Sequence, residues 1–114
     1  MNVARSKRKL TAIFSASAVG YNSLIKASET WILQNLEEDK RLISELVFEY
    51  KGHVISSTED NFMAGFYSII NAVECAVMIE DELNKKYAYS DGKPHMEFCF
   101  GIDIVETMES DSEL

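Results

Sequence analysis

The sequence predicts an α+β sandwich of the ferredoxin-like kind, in which an antiparallel sheet carries two long helices on one face. Three observations lead to this prediction. Two stretches carry apolar residues at helical spacing, a short turn joins two β-rich runs between them, and an apolar strand pattern lies towards each end of the chain. The element order is therefore βαββαβ, which suits a sheet with both helices on the same side.

The first strand is predicted at residues 10–16, where apolar side chains alternate. Both faces of this strand are fairly apolar, as in a central strand that is buried on both sides. Gly20 then interrupts the pattern, and a short helical piece containing Leu24 and Ile25 is expected to follow.

A long amphipathic helix comes next, with Ser28 or Thr30 as its candidate N-cap and Gly52 at its end. The charged residues at positions 37–41 are expected to cover its water-facing side. Its apolar stripe consists of Ile32, Leu36, Ile43, Leu46, Val47 and Tyr50.

A hairpin is predicted between the two long helices. Residues 53–58 and 62–66 are short β-rich runs, and Glu59, Asp60 and Asn61 join them. Because Asp and Asn tolerate the positive φ of tight hairpin turns, these residue types favour a turn at this point.

The remaining elements are a second amphipathic helix, a turn and a last strand. The helix stripe begins at Ile69 or Ile70 and runs to Tyr87, residues 90–94 are predicted to turn, and residues 96–105 form the strand. The chain is thus divided into a basic arm, one domain and an acidic tail expected to be disordered, at residues 1–9, 10–106 and 107–114.

Composition limits the classes of function. The 114 residues and 12.9 kDa suffice for one domain with one core. A formal net charge of −8 disfavours nucleic acid and anionic membranes as partners of the whole domain. No run approaches the ~20 apolar residues of a transmembrane helix. Four cations are interpreted as a solubilising flank of the first strand: Arg5, Lys7, Arg8 and Lys9.

The cysteines and histidines suggest no metal or catalytic cluster. Cys75 and Cys99 lie in apolar segments without metal-ligand spacing, and they are interpreted as reduced core residues of a cytoplasmic protein. His53 and His95 lie far apart in sequence at the starts of strands, where a surface role is expected.

Several segments match one protein family in order and spacing. The first reads RKLTAIFSASAVGY and a later one reads TEDNFMAGF. Together they resemble the class III adenylate/guanylate cyclase catalytic domain, as a truncated and degenerate member, over residues 8–106. The matching segments are residues 8–21, 41–43, 52–55, 58–66, 71–77 and 100–102.

The resemblance implies a definite chemistry. Such enzymes join the ribose 3′-oxygen of ATP or GTP to its α-phosphate and release pyrophosphate. Two divalent cations, held by two aspartates, activate the attacking oxygen and neutralise the phosphates. A lysine helps to choose the base, and an asparagine and an arginine stabilise the transition state. The site lies between two protomers, so a dimer is implied.

The metal positions of the family are only half retained. The first metal aspartate falls at Ser17, whose neutral hydroxyl does not replace a carboxylate as a ligand of Mg²⁺. The second falls at Asp60, which is retained. The glycines that flank it in the family are replaced by Glu59 and Asn61, and Glu59 is a possible substitute carboxylate. The alternative is that Asp60 is kept because a hairpin turn favours it.

Most of the other functional residues of the family are also replaced or missing in this sequence. The base-selecting lysine falls at Ser56, while Gly20, which lets the backbone approach phosphates, is kept. The chain stops at Leu114, before the segment expected to supply the asparagine and the arginine.

These substitutions favour a catalytically incompetent cyclase-homology domain that acts in dimerisation or regulation. No cofactor is expected, or Mg²⁺ or Mn²⁺ if any ATP or GTP still binds. One alternative is an active or split cyclase, completed by residues from another chain or a longer parent. A further alternative is a nucleotide sensor that binds without chemistry.

The expected partner is a second copy of the chain or a cyclase-like partner chain. The apolar residues Phe62, Met63 and Phe66 are predicted at the interface, since they are numerous for a single hairpin. The alternative is that they pack beneath the two helices.

Overall fold

The computed structural model describes residues 6–21, 29–88 and 95–110. The strands and helices follow the predicted order. They are β1 (Ser6–Val19), α1 (Glu29–Glu49), β2 (His53–Ser57), β3 (Asn61–Phe66), α2 (Ile69–Tyr87) and β4 (Glu97–Ser110).

The four strands form one sheet in the order β2-β3-β1-β4. Every neighbouring pair is antiparallel, and β1 is central because it pairs with β3 on one side and β4 on the other. This order and the two helices confirm the predicted ferredoxin-like α+β sandwich. Neither helix in the described ranges combines the length and the apolar character that crossing a membrane requires.

The core lies between the two helices and one face of the sheet. Alternate residues of β1 and β3 are fully buried there, whereas their neighbours point to the other face, which no helix of the described ranges packs against. We call that second face the helix-free face. The largest core side chains are Phe14, Phe62, Phe66, Ile43, Val47 and Ile79.

The predicted interface residues divide between the two faces. Phe62 and Phe66 are buried in the core of this chain, so their assignment to an interface is wrong and the packing alternative holds. Met63 lies between them in sequence and is exposed, because strand alternation turns it to the helix-free face.

The two outer strand boundaries differ from the prediction. β1 begins at Ser6 and β4 continues to Ser110, so residues 6–9 and 107–110 are strand rather than arm and tail. Each of these segments pairs with the other, from Ser6 opposite Ser110 to Leu10 opposite Glu106. Neither segment has an apolar pattern that would predict this pairing. Residues 1–5, 22–28, 89–94 and 111–114, which include the candidate cap Ser28, the helical piece and the whole predicted turn, lie outside the described residues.

Helix α1 ends through Lys51 rather than through the predicted glycine. Lys51 adopts a positive φ of 67°, and the Gly52 amide donates to the Val47 carbonyl at 2.8 Å. Gly52 is needed for another reason, since a Cβ there would lie 2.5 Å from the Phe66 ring carbon Cε2.

Replacing Gly52 by alanine is therefore expected to lower the free energy of unfolding by about 1–3 kcal/mol, through overpacking against a buried ring. Urea unfolding followed by circular dichroism measures this. Gly101→Ala is the matched control, because its Cβ would meet only the Ser15 Oγ at an ordinary 3.4 Å. Equal stability of both variants would contradict the close packing at Gly52.

Candidate functional site

The structure brings Ser17 and Asp60 to the same end of the sheet. Ser17 lies opposite Asn61 in the pairing of β1 with β3. Next to this pair, the amide of Ala18, which follows Ser17, donates to the carbonyl of Asp60, which precedes Asn61, at 2.8 Å. The two positions to which the resemblance assigns metal aspartates are therefore neighbours.

The turn between β2 and β3 is closed by Thr58. Its amide donates to the Asn61 carbonyl at 2.8 Å, and its Oγ1 accepts from the Asn61 amide at 3.2 Å. Lys40 of α1 donates to the Thr58 carbonyl at 2.6 Å and so connects the helix to the turn. Residues 58–61 adopt no positive φ, so the expectation of a positive-φ turn is wrong. The threonine side chain supplies the closure instead.

The side-chain amide of Asn61 lies between Ser17 and Asp60. The Ser17 Oγ donates to the Asn61 Oδ1 at 2.8 Å, and the Asn61 Nδ2 donates to the Asp60 Oδ1 at 3.3 Å. The retained carboxylate thus faces an N–H donor. The role of Asn61 was missed in the sequence, where it was interpreted only as a turn residue, although its position beside Asp60 was the available signal.

Glu59 is directed to another partner, the half-buried Tyr21. Desolvation first, and then the charges of Glu59 and Asp60 together with a hydrogen bond to Glu59, raise the pKa of Tyr21. In the part of the chain that the structure describes, no three His, Cys, Asp or Glu side chains group closely enough to hold a metal ion.

Ser56 and Gly20 border the same region. Ser56 is exposed and lies opposite Met63, immediately after a β-bulge that follows Val54. It shares the helix-free face with Met63 and Ser17. Gly20 has a φ of 69°, and a Cβ there would meet no atom within 4 Å, so the glycine is required by its backbone conformation alone.

A buried polar network joins the two helices away from this region. Asp39, predicted on the water-facing side of α1, is fully buried. Its carboxylate accepts from the Lys86 Nζ at 2.7 Å and from the Tyr87 hydroxyl at 2.8 Å. His95, predicted at the surface, is half-buried and stacks on Tyr87 with ring centroids 3.9 Å apart.

The predicted core residue Cys99 is exposed, because alternation along β4 turns it to the helix-free face.

Because of this network, the stability of the fold is expected to change with pH in the alkaline range. Burial and then the Asp39 carboxylate raise the pKa of Tyr87 above its usual 10.0. Burial alone lowers the pKa of Lys86, but its hydrogen bonds to Asp39 and Glu38 outweigh burial and raise it above 10.5. A pKa that is raised in the folded state stabilises fully below the unfolded value, and this stabilisation is lost as the pH rises further.

The free energy of unfolding is therefore expected to fall as the pH rises from about 9.5 to 11.5, by up to about 1.4 kcal/mol per pH unit for each group. Tyr87→Phe removes one of these groups, so the slope of that variant should be shallower. Urea unfolding at a series of pH values measures the slopes. Tyr50→Phe, one residue beyond the end of α1, serves as the control, and equal slopes for Tyr87→Phe and the wild type would contradict the role of Tyr87.

Comparisons with known proteins agree with this fold. A protein of Rhizobium meliloti (strain 1021) named "Putative adenylate cyclase 3" is 29% identical over 112 residues, which are 95% of this chain and 19% of that protein. The adenylate/guanylate cyclase/hydrolase from Silicibacter pomeroyi matches with a TM-score of 0.75 and 26% identity, over 93% of this chain and 62% of that chain. No family model matches the sequence.

A second solved structure shows the same fold at lower identity. The adenylyl cyclase CyaB from P. aeruginosa matches with a TM-score of 0.72 and 19% identity, over 90% of this chain and 59% of that chain. The chain is thus similar in sequence and in fold to class III adenylate/guanylate cyclase domains, and the resemblance seen in the sequence is confirmed. It spans about a fifth of the curated relative and about three-fifths of the two structures.

Proposed function

We propose that this chain is a catalytically incompetent cyclase-homology domain that acts in dimerisation or regulation. The observation that carries the proposal is the hydrogen-bonded chain from Ser17 through Asn61 to Asp60. It occupies the place where the resemblance expects two aspartates to hold two divalent cations.

The chemistry of these three side chains disfavours a metal pair. Mg²⁺ prefers carboxylate oxygens in near-octahedral geometry, and only Asp60 supplies one here. The Asn61 N–H group next to that carboxylate is a donor and repels a cation. A metal at Asp60 would have to displace this amide, and the amide would then release Ser17. The site therefore favours the metal-free arrangement.

The remaining positions weaken nucleotide recognition. Ser56 offers a hydroxyl where the family has a lysine, so it supplies no charge to the base or the phosphates. Residual binding of ATP or GTP with Mg²⁺ or Mn²⁺ would rest on Asp60 and on the open backbone at Gly20. Cytoplasmic localisation is proposed on the free thiols of Cys75 and Cys99.

The test is an assay for cyclic nucleotide with ATP or GTP and either Mg²⁺ or Mn²⁺. The wild type is expected to form no product above the blank, and Ser17→Asp alone is expected to remain inactive. Robust turnover by the wild type would overturn the proposal. A gain of product on mixing with an active cyclase domain would instead support the split-enzyme alternative.

A homodimer through the helix-free face is proposed on its exposed apolar residues. Met63 and Ile55 lie on this face, and Ile55 approaches the position of a Gly65 Cβ to 3.3 Å. A bare apolar sheet face of a small domain is typical of an interaction surface.

Met63→Asp is expected to weaken this dimer at least about tenfold, because it places a charge within the apolar contact. Sedimentation equilibrium measures the dissociation constant. Phe48→Asp is the matched control, since Phe48 is an 82% exposed apolar residue on α1, away from this face. A wild type that stays monomeric at high micromolar concentration, or a dimer unaffected by Met63→Asp, would contradict the proposed interface.

A further inference from the structure

The helix-free face has a raised half on β2 and β3. Met63 and Ile55 are exposed there. A Cβ at Gly65 would lie 2.9 Å from the His53 Nε2 and 3.3 Å from the Ile55 Cδ1, so both of these side chains extend over the glycine. Tyr67 continues this half beyond β3, with its ring centroid 5.8 Å from that of His53. We call these large side chains of β2 and β3 the raised half.

The other half of the face, on β1 and β4, is flat. Ser15 and Ser17 of β1 lie opposite Gly101 and Cys99 of β4, so this half carries small side chains or none. A Cβ at Gly101 would meet only the Ser15 Oγ, at 3.4 Å. We call these four residues the flat half. The helix-free face therefore combines a protruding surface with a shallow one of similar length.

Charge is sparse across the middle of this face. The strand register places His53 and Asp103 at the two ends of one row that crosses all four strands. The next two rows, through Ser15 and Ser17, contain no charged side chain among the described residues. Two copies, each with a net charge of −8, can therefore approach through this part of the face with little repulsion.

A twofold axis parallel to the strands matches the shape of the face. A twofold interface uses the same surface on both copies, so that surface must complement itself. An axis that runs between β3 and β1 lays β2 and β3 of each copy on β4 and β1 of the other. The raised half of each copy then covers the flat half of the other. Aligned packing of two sheets is a common arrangement in proteins.

A twofold axis perpendicular to the strands fits the face less well. It would lay β2 and β3 of one copy on the same two strands of the other, so that raised half meets raised half. The two flat halves would then face each other across a gap. The axis parallel to the strands also brings the β2 edge of one copy to the β4 edge of the other. There the His53 imidazole can donate to the partner subunit's Asp103.

We propose that two copies associate through their helix-free faces about a twofold axis parallel to the strands, so that Met63 of each copy packs on the partner subunit's Ser15. The proposal rests on the homodimer proposed above and adds its geometry. It also completes the candidate site, because Ser17 and Asn61 share one row. Asn61 of each copy lies over the partner subunit's Ser17, so the partner covers the hydrogen-bonded pair.

Two single variants test which residues face each other. In Met63→Ser both contacts of the dimer become serine on serine, and in Ser15→Met both become methionine on methionine. Each variant alone is expected to dissociate at least about tenfold more readily than the wild type, because one leaves a gap and the other overfills the contact. An equimolar mixture pairs a methionine with a serine at both contacts of the heterodimer. Its dissociation constant should lie within about threefold of the wild type.

Sedimentation equilibrium of each variant and of the mixture measures these constants, and circular dichroism checks the fold. Phe48→Ser is the control, since Phe48 is exposed on α1 away from this face. It should dimerise like the wild type. It should not raise the dimer fraction of Ser15→Met above the mean of the two proteins measured alone.

The outcomes separate this geometry from the homodimer itself. Recovery in the mixture of Met63→Ser with Ser15→Met supports the axis parallel to the strands. A mixture that dimerises no more tightly than its components would overturn this axis, even if Met63→Asp still dissociates the wild-type dimer. Equal recovery with Phe48→Ser would overturn it as well. A wild type that stays monomeric would overturn both the axis and the homodimer.

Discussion

Asp39→Ala is expected to lower the free energy of unfolding by about 2–4 kcal/mol, a large part of the 5–15 kcal/mol typical of a domain. The Asp39 carboxylate is fully buried and is the shared acceptor of the Lys86 ammonium and the Tyr87 hydroxyl. Its removal leaves both donors without this partner between the helices. The effect stays below that of a wholly buried pair because the Lys86 side chain is 29% exposed and can regain water.

Urea unfolding at neutral pH measures this loss, and the neighbouring residue supplies the control. Glu38 also contacts the Lys86 Nζ, at 3.1 Å, but its side chain is 61% exposed. Glu38→Ala is therefore expected to cost less than about 1 kcal/mol. Asp39→Asn should lie between the two, since an amide keeps one acceptor oxygen. If Asp39→Ala and Glu38→Ala were equally stable, burial of Asp39 would not matter to the fold.

Asp39 also shows where prediction from the sequence ends. The periodicity of α1 placed Ile43 and Val47 correctly in the core. The charged residues at positions 37–41 were all expected to face water. The spacing of residues along one helix does not show which of them a second helix covers. The partners Lys86 and Tyr87 are 47 and 48 residues away. Such burial depends on tertiary packing, which composition and spacing do not encode directly.

The hairpin and the candidate site likewise show which features the sequence predicts and which depend on tertiary packing. Strand alternation turns Phe62 and Met63 to opposite sides of the sheet, which the prediction of one common interface for both residues overlooked. The family resemblance brought Ser17 and Asp60 to one place. It did not show that Asn61 links them, because a hydrogen bond between side chains depends on strand register.

A carboxylate at both position 17 and position 60 is expected to increase metal binding without creating cyclase activity. In the double variant Ser17→Asp with Asn61→Gly, a second carboxylate replaces the hydroxyl and the intervening amide is removed. Mn²⁺ affinity should rise at least about tenfold over the wild type, since carboxylate count sets the affinity for hard cations. Electron paramagnetic resonance of free Mn²⁺ measures the affinity.

The matched control moves the new charge by two residues. Ser15 shares the helix-free face with Ser17 but lies opposite Met63 rather than Asn61. Ser15→Asp with Asn61→Gly therefore adds the same charge beyond the Asp60 turn, and its Mn²⁺ affinity should stay within about threefold of the wild type. Equal gains for both variants would reduce the effect to general electrostatics. No gain for Ser17→Asp with Asn61→Gly would mean that Ser17 and Asp60 do not form one metal site. If metal binding rises while no cyclic nucleotide forms, the residue at position 17 limits metal binding, and a lysine in place of Ser56 is the next substitution to test for activity.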